Sequence, residues 1–473
     1  MLILPELILL TGALIFFALS LANKVHPNVL RFLAMAFCVA SFAGVWFTLQ
    51  AKASLFHGSY EVSLYSQGFK LLLSGAFFFV VVAGERLKGI RPSVQPEYYL
   101  FLFLSVCGLM LLVSATEFIL LFVALELSSF ALYILVPMRS DYEGVRSQME
   151  AGIKYLLFGV IATGLMLFGM SYLFGLTGTT DIAQIIKYFQ QGGIPPVAVV
   201  AYLLVLCGFF FKLALFPFHF WVPDVYEGAA NETTSFIATL PKIAAVAILV
   251  RFMQMVPAGQ GNFFVTLFAV IALASMFYGN LCALVQTDVK RLLGFSGIAH
   301  AGFVALALLT LKEEGYGLAV YYISAYALMN LACFVVICAV SKRGENLYID
   351  DLHGLSKEQP IFAFVLATGL FGLAGIPPFA GFMGKFLILT DAMQAGHRLI
   401  VVLAAINTAI AIYYYLSLVR AAYAVEKKSA AETSEGPSIL LTATAVVLVL
   451  AIILAGLLPS KLIDLATAVV RSL

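Results

Sequence analysis

Long unbroken apolar runs, separated by short clusters of charge, Pro or Gly, limit what this chain can fold into more than any other feature. Runs of ~17–25 apolar residues match the hydrocarbon thickness of a bilayer. Fourteen fit that description, at about 2–21, 29–50, 69–85, 98–115, 117–137, 150–175, 197–220, 233–256, 262–286, 292–311, 316–340, 361–391, 398–424 and 437–458. The twelfth is long and interrupted by Gly375-Ile376-Pro377-Pro378. Residues 52–70 alternate in polarity, which predicts a short surface hairpin. Lipid offers the backbone no hydrogen-bond partners, so a chain of this kind must span as helices. The expected class is an all-α polytopic membrane protein of about 14 transmembrane helices, with helices seven and twelve discontinuous.

Composition agrees: 62% of the 473 residues are hydrophobic, 11% are charged, and the mean hydropathy is +1.02. No segment between the runs is long enough for a soluble domain. A net charge of +2 gives no reason to expect nucleic acid. Cys38, Cys107, Cys207, Cys282, Cys333 and Cys338 all lie in apolar runs, away from His clusters, and read as small buried hydrophobes. The N-terminal run lacks a basic lead-in and a small-residue cleavage site, so it is expected to remain as the first span.

Lys and Arg outside the spans set the expected orientation. Odd-numbered loops carry fifteen; even-numbered loops and the C-terminal tail carry eight, among them Lys70 and Arg251. Lys290 and Arg291 count among the fifteen. The bias places odd loops in the cytoplasm and both termini outside, in a bacterial inner membrane. Four basic residues remain inside spans: Lys154, Lys212, Lys242 and Lys385. Glu126 is the clearest acid at mid-membrane depth. Each such charge costs roughly 2.5–3.5 kcal/mol at a helix centre and marks a functional site by default.

Residues 209–242 concentrate the anomaly, with Lys212 inside an apolar run, Pro217 where a helix would break, a short acidic loop, and Lys242 in the next run. A desolvated ammonium holds its proton less tightly, and a nearby carboxylate restores the affinity. A Glu126–Lys212 pair that forms and separates would therefore take up and release a proton; the alternative is a static ion pair locking two helices. Pro241 is expected to loosen its helix beside Lys242. Lys385 follows the GIPPFAGFMGK break, and a break beside a charge points to a transport site; the alternative for both lysines is snorkelling. Lys154 fits snorkelling or an i,i+4 pair with Glu150. His300, in an otherwise apolar span, is either a relay or a packing residue. His219, beside Trp221 at a span end, is expected at the membrane interface. Ser128, Ser129, Thr234, Ser235 and Thr239 could hold water near these charges. The sequence has no dinucleotide or Walker loop, no cysteine cluster for iron–sulfur and no haem-spaced His pair. Energy for charge movement must therefore come from a gradient or a partner.

Five stretches resemble the antiporter-like membrane subunits of NADH:quinone oxidoreductase (respiratory complex I) and the related Mrp-type cation/proton antiporters: ALELSSFALYIL at 124–135, FKLALFPFHFWVPDVYEGA at 211–229, LPK at 240–242, DVKRLLGFSGIAHAG at 288–302 and GIPPFAGFMGKF at 375–386. Within that family the chain is most similar to the subunit N group. The resemblance implies two inverted five-helix repeats, at 98–256 and 257–425, flanked by an N-terminal segment 1–97 and a C-terminal segment 426–473. It implies proton translocation through Glu126, Lys212, Lys242 and Lys385, with His300 and Lys154 as relay candidates. No cofactor or metal is expected in this chain. NADH, FMN, iron–sulfur clusters and quinone are expected in partner subunits, and the neighbours are expected to be other membrane subunits. Two other readings share the sequence: a subunit of an Mrp-type Na+/H+ antiporter, and a structural membrane-arm subunit without its own channel. One departure is clear. Where the family commonly reads EGAPTP, this chain has Glu227-Gly228-Ala229-Ala230-Asn231-Glu232.

Overall fold

The computed structural model describes residues 2–22, 25–140, 147–192, 195–254, 256, 261–424 and 436–473. Lys24, Arg146, Lys427 and Lys428, four of the fifteen odd-loop charges, lie outside them. The helices are α1 Leu4–Ser20, α2 Pro27–Phe47, α3 Leu64–Ala83, α4 Gln95–Ser114, α5 Phe118–Leu135, α6 Ser147–Thr177 and α7 Ile182–Gly192. After these come α8 Pro196–Leu213, α9 Trp221–Gly228, α10 Asn231–Met253, α11 Gly261–Ala283, α12 Val289–Leu308 and α13 Glu313–Val340. The chain ends with α14 Leu355–Glu358, α15 Pro360–Ala374, α16 Ala380–Gln394, α17 Arg398–Tyr423, α18 Ile439–Leu457 and α19 Pro459–Arg471. Among the described residues, twelve helices are long and apolar enough to cross a membrane. Two shorter apolar helices, α1 and α15, stand where the sequence places the first span and the start of the twelfth.

The expected hairpin forms. Strands β1 Ala53–Leu55 and β2 Tyr60–Val62 pair antiparallel, with Ser54 opposite Glu61. Its product is a buried triad: Lys70 of α3 lies 2.7 Å from Glu6 Oε1, and both groups meet the Tyr60 hydroxyl, at 2.7 Å each. Lys70 therefore corrects the loop assignment made from sequence: it is a buried, paired cation. Arg251 in α10 and Lys290 in α12, also assigned to loops, are buried too. Arg251 reaches the Ala115 carbonyl, and Lys290 donates to the Ala229 carbonyl at 2.7 Å.

Burial grades from centre to rim. Helices α10 and α12 are almost wholly enclosed, whereas α2, α6 and α17 expose apolar side chains such as Phe32, Leu157 and Tyr413. Those outer faces suit lipid rather than water. Helix α7 and the C-terminal α19 escaped the sequence reading; both are amphipathic and too polar to register as spans. Helix α19 packs on α13 and α3.

Two spans break as expected, near Pro217 and Pro377. Helix α8 ends at Leu213 with Ala214 in the left-handed region (φ 66°, ψ 39°), and α15 ends at Ala374 with Gly375 likewise (φ 84°, ψ 45°). Each break contains one cis X-Pro bond, Phe216–Pro217 and Pro377–Pro378. Backbone groups freed there find partners within the protein. The Phe211 carbonyl accepts from Trp221 Nε1 (3.0 Å), and the Phe216 amide donates to Ser275 Oγ (2.9 Å). The acidic stretch after the first break is largely helical, as α9, and not an open loop.

Candidate functional site

Glu126 projects from the middle of α5 and Lys212 from the last turn of α8, both buried. Each lies in the other's electrostatic field, yet no ion pair within 4.0 Å joins them. Lys212 Nζ has no hydrogen-bond partner; it sits 5.7 Å from the Phe211 ring. Glu126 Oε1 is likewise unpartnered. The pair is coupled but open, which is one of the two states a switching pair requires.

From Lys212 an aromatic set leads inward. Phe211 packs on Trp221 (5.3 Å between ring centroids), Trp221 on Tyr226 (6.5 Å), and Lys242 Nζ lies 5.9 Å from the Tyr226 ring. Lys242 is 1% exposed on α10 and donates to the Tyr326 hydroxyl (3.2 Å) and the Gly297 carbonyl (3.4 Å). Its partners thus belong to α13 and α12. Pro241, just before Lys242, lies inside α10, which runs through it without a break.

Tyr326 packs against His300 (5.1 Å between centroids). His300 shares hydrogen bonds with Tyr322 at Nδ1 (2.7 Å) and Tyr415 at Nε2 (3.1 Å), so both ring nitrogens meet hydroxyls. A small cavity beyond it is lined by His300, Lys385, Asn280 and Tyr414. There Lys385 Nζ donates to the Leu373 (2.8 Å) and Ala374 (3.2 Å) carbonyls, the free end of α15. The break supplies the lysine's solvation in place of water. Asn280, Asn407 and Tyr414 form a buried network on the same cavity. Sequence reasoning missed these tyrosines and asparagines. Their signal was the hydrogen-bonding side chain in an apolar span, which is common enough to pass for packing.

Lys154 stands apart. It pairs with Glu150 and Asp224, both at 2.6 Å, and Asp224 and Glu227 also bind Arg291. These side chains are partly exposed, so the i,i+4 pair is present within a wider rim cluster. His219 is corrected from an interfacial place: it is fully buried in the α8–α9 break, between Phe216, Phe220 and Tyr278, with neither nitrogen bonded.

Residues 115–411 match the family model described as NADH:quinone oxidoreductase/Mrp antiporter, transmembrane. The chain belongs to this family. It is 48% identical to NADH-quinone oxidoreductase subunit N 2 of Opitutus terrae over 465 residues, covering 98% of this chain and 96% of the relative. A chain of respiratory complex I from Thermus thermophilus superposes with a TM-score of 0.82 at 30% identity, covering 98% of this chain and 99% of that one. A chain of the Mrp complex from Dietzia sp. superposes with a TM-score of 0.85 at 18% identity over 99% of this chain and 96% of that one, a likeness of fold alone.

Proposed function

We propose that this chain is a proton-translocating membrane subunit of an NADH:quinone oxidoreductase, of the subunit N type. The observation that carries the reading is the buried line Glu126, Lys212, Lys242, His300, Lys385, with a broken helix beside the lysine at each end. Redox chemistry in partner subunits changes the charge or hydration at one end of the line. The Glu126–Lys212 pair closes or opens in response. A proton passes through Lys242 and His300 to Lys385 and leaves on the outer side. Lys154 sits at the rim, where it steadies Asp224 and α9; as a relay candidate it belongs to that rim cluster, apart from the buried line. NADH, flavin, iron–sulfur clusters and quinone belong to partner subunits, and neighbouring membrane subunits flank this one in a bacterial inner membrane. The odd loops face the cytoplasm.

Segments 98–256 and 257–425 act as two inverted repeats. In support, each has its broken helix as the fourth of five spans, and each break ends its first half in a left-handed residue. An Mrp-type antiporter shares the fold, and the 48% identity favours subunit N. Lys212→Ala in the assembled complex tests the proposal through NADH:quinone turnover and proton pumping measured together. Loss of pumping is expected; normal pumping would sink the carrier role and leave a structural subunit.

A further inference from the structure

Beneath the α3–α4 loop lies a second charged cluster that the line above does not use. Glu232, in the first turn of α10, is 4% exposed, and its Oε2 has no hydrogen-bond partner. Two glycines of the neighbouring loop make room for it. A Cβ at Gly84 would stand 3.0 Å from Glu232 Cγ, and one at Gly89 would stand 3.3 Å from Oε2. Lys88 on the same loop, Lys290 on α12, Tyr98 and Tyr99 on α4 and Cys338 on α13 all lie in its field. A small cleft lined by Glu85, Arg86, Lys88, Cys338 and Glu232 opens beside it.

A structural lock would set an ammonium on the carboxylate. Here both nearby ammonium groups are spent on backbone carbonyls: Lys88 on Cys338, Ala339 and Ser341, Lys290 on Ala229. The carboxylate is left free for another partner. Along α10 the polar residues Glu232, Ser235, Thr239 and Lys242 follow at intervals of three, four and three, the spacing of one helix face. They cover roughly 15 Å at 1.5 Å per residue. Ser235 Oγ and the Tyr226 hydroxyl are buried and unpartnered, so water is needed to satisfy them. At the far end Asn330 donates to the Tyr326 hydroxyl that also receives Lys242.

We propose that Glu232 is a proton-loading group, taking a proton from the Glu85–Lys88 cleft and passing it along the Ser235–Thr239 face of α10 to Lys242. The carboxylate gains the proton from water. It returns to carboxylate as hydroxyls and water along the face relay a proton onto the neutral Lys242 amine. This rests on the translocating function proposed above and adds its uptake point on the side of the α3–α4 loop.

The test is Glu232→Gln in the assembled complex, reconstituted in liposomes, with NADH:quinone turnover and dye-monitored proton uptake read together. Uptake and turnover should fall roughly tenfold, less than the ~100-fold low end for positioned proton transfer because water can partly replace the carboxyl. Glu232→Asp should recover most of the rate, and azide, a small diffusible weak acid, should partly restore Glu232→Gln; a lock would be restored by the aspartate but not by azide. Wild-type uptake in Glu232→Gln, or a loss that azide leaves unchanged, overturns the loading role. If Glu232→Gln does not assemble, Ser235→Val decides: slowed uptake supports the path and a wild-type rate rejects it. Lys212→Ala in the same liposomes separates the two proposals. If it stops pumping while Glu232→Gln pumps normally, only the loading role falls; if both pump normally, the translocating function falls with it.

Discussion

Buried charges in this chain are of two kinds, and their partners tell them apart. Lys70 is matched by Glu6 and Tyr60 at hydrogen-bond distance, a closed triad with no place to send a proton. Lys212 has no partner, and Glu126 holds one oxygen free. The first arrangement stabilises and the second can switch. Lys70→Met should therefore destabilise the complex by roughly 3–5 kcal/mol, because it strands a buried carboxylate. Adding Glu6→Leu should recover much of that loss; thermal unfolding of the purified complex measures both. Glu126→Gln removes the charge that holds the Lys212 proton, so pumping should drop severalfold while assembly stays intact, read as proton uptake per NADH oxidised. The sequence exposed Glu126, Lys212, Lys242 and Lys385 because they sit deep in apolar runs. It hid Lys70, Arg251 and Lys290 because they sit near span ends, where a charge can be either snorkelling or buried.

At the scale of elements, the second break puts an ammonium group against a helix end. Lys385 binds the carbonyls at the end of α15, and the turn that frees them depends on Gly375 at φ 84°. Gly375→Ala should be costly twice over: a left-handed conformation penalises a Cβ by roughly 1–2 kcal/mol, and the new methyl would lie 3.1 Å from Lys385 Cδ. Reduced pumping with near-normal assembly is the expected result, and unchanged pumping would show that the cap geometry is dispensable. Pro241 differs. It lies inside α10 without ending it, in a helix enclosed by its neighbours. The sequence contains the breaker in both cases; what surrounds it decides whether the helix yields.

Across the whole molecule the loops sort into two ends. Odd-numbered loops meet one another: Lys88 reaches 338–341, Arg139 reaches Glu227 and Gly344, and Arg86 reaches Gly436. Even-numbered loops meet at the other, where Tyr60 bridges Ala115, Glu117 bridges Asp181, and Arg471 near the C-terminus pairs with Glu313. Cysteine introduced at exposed Lys357 should then react with a membrane-impermeant maleimide from the cytoplasmic face only, and cysteine at exposed Lys52 from the outer face only. The opposite labelling pattern would invert the proposed orientation without disturbing the fold.

Much of this protein follows from sequence alone: the membrane class, nearly every helix, both breaks and the identities of the deepest charges. Those features follow from local physics, since lipid admits only internally bonded backbone and charge in a long apolar run stands out against it. Tertiary structure alone decided which charges face one another. It placed Lys242 on Tyr326 of another helix, His300 between two tyrosines, and Lys154 in a rim cluster away from the buried line. It also placed Glu232 in a buried cleft beside two lysines that bind carbonyls instead of it. Partner choice depends on distances between helices far apart in the chain, and a linear pattern of residues contains no such distances.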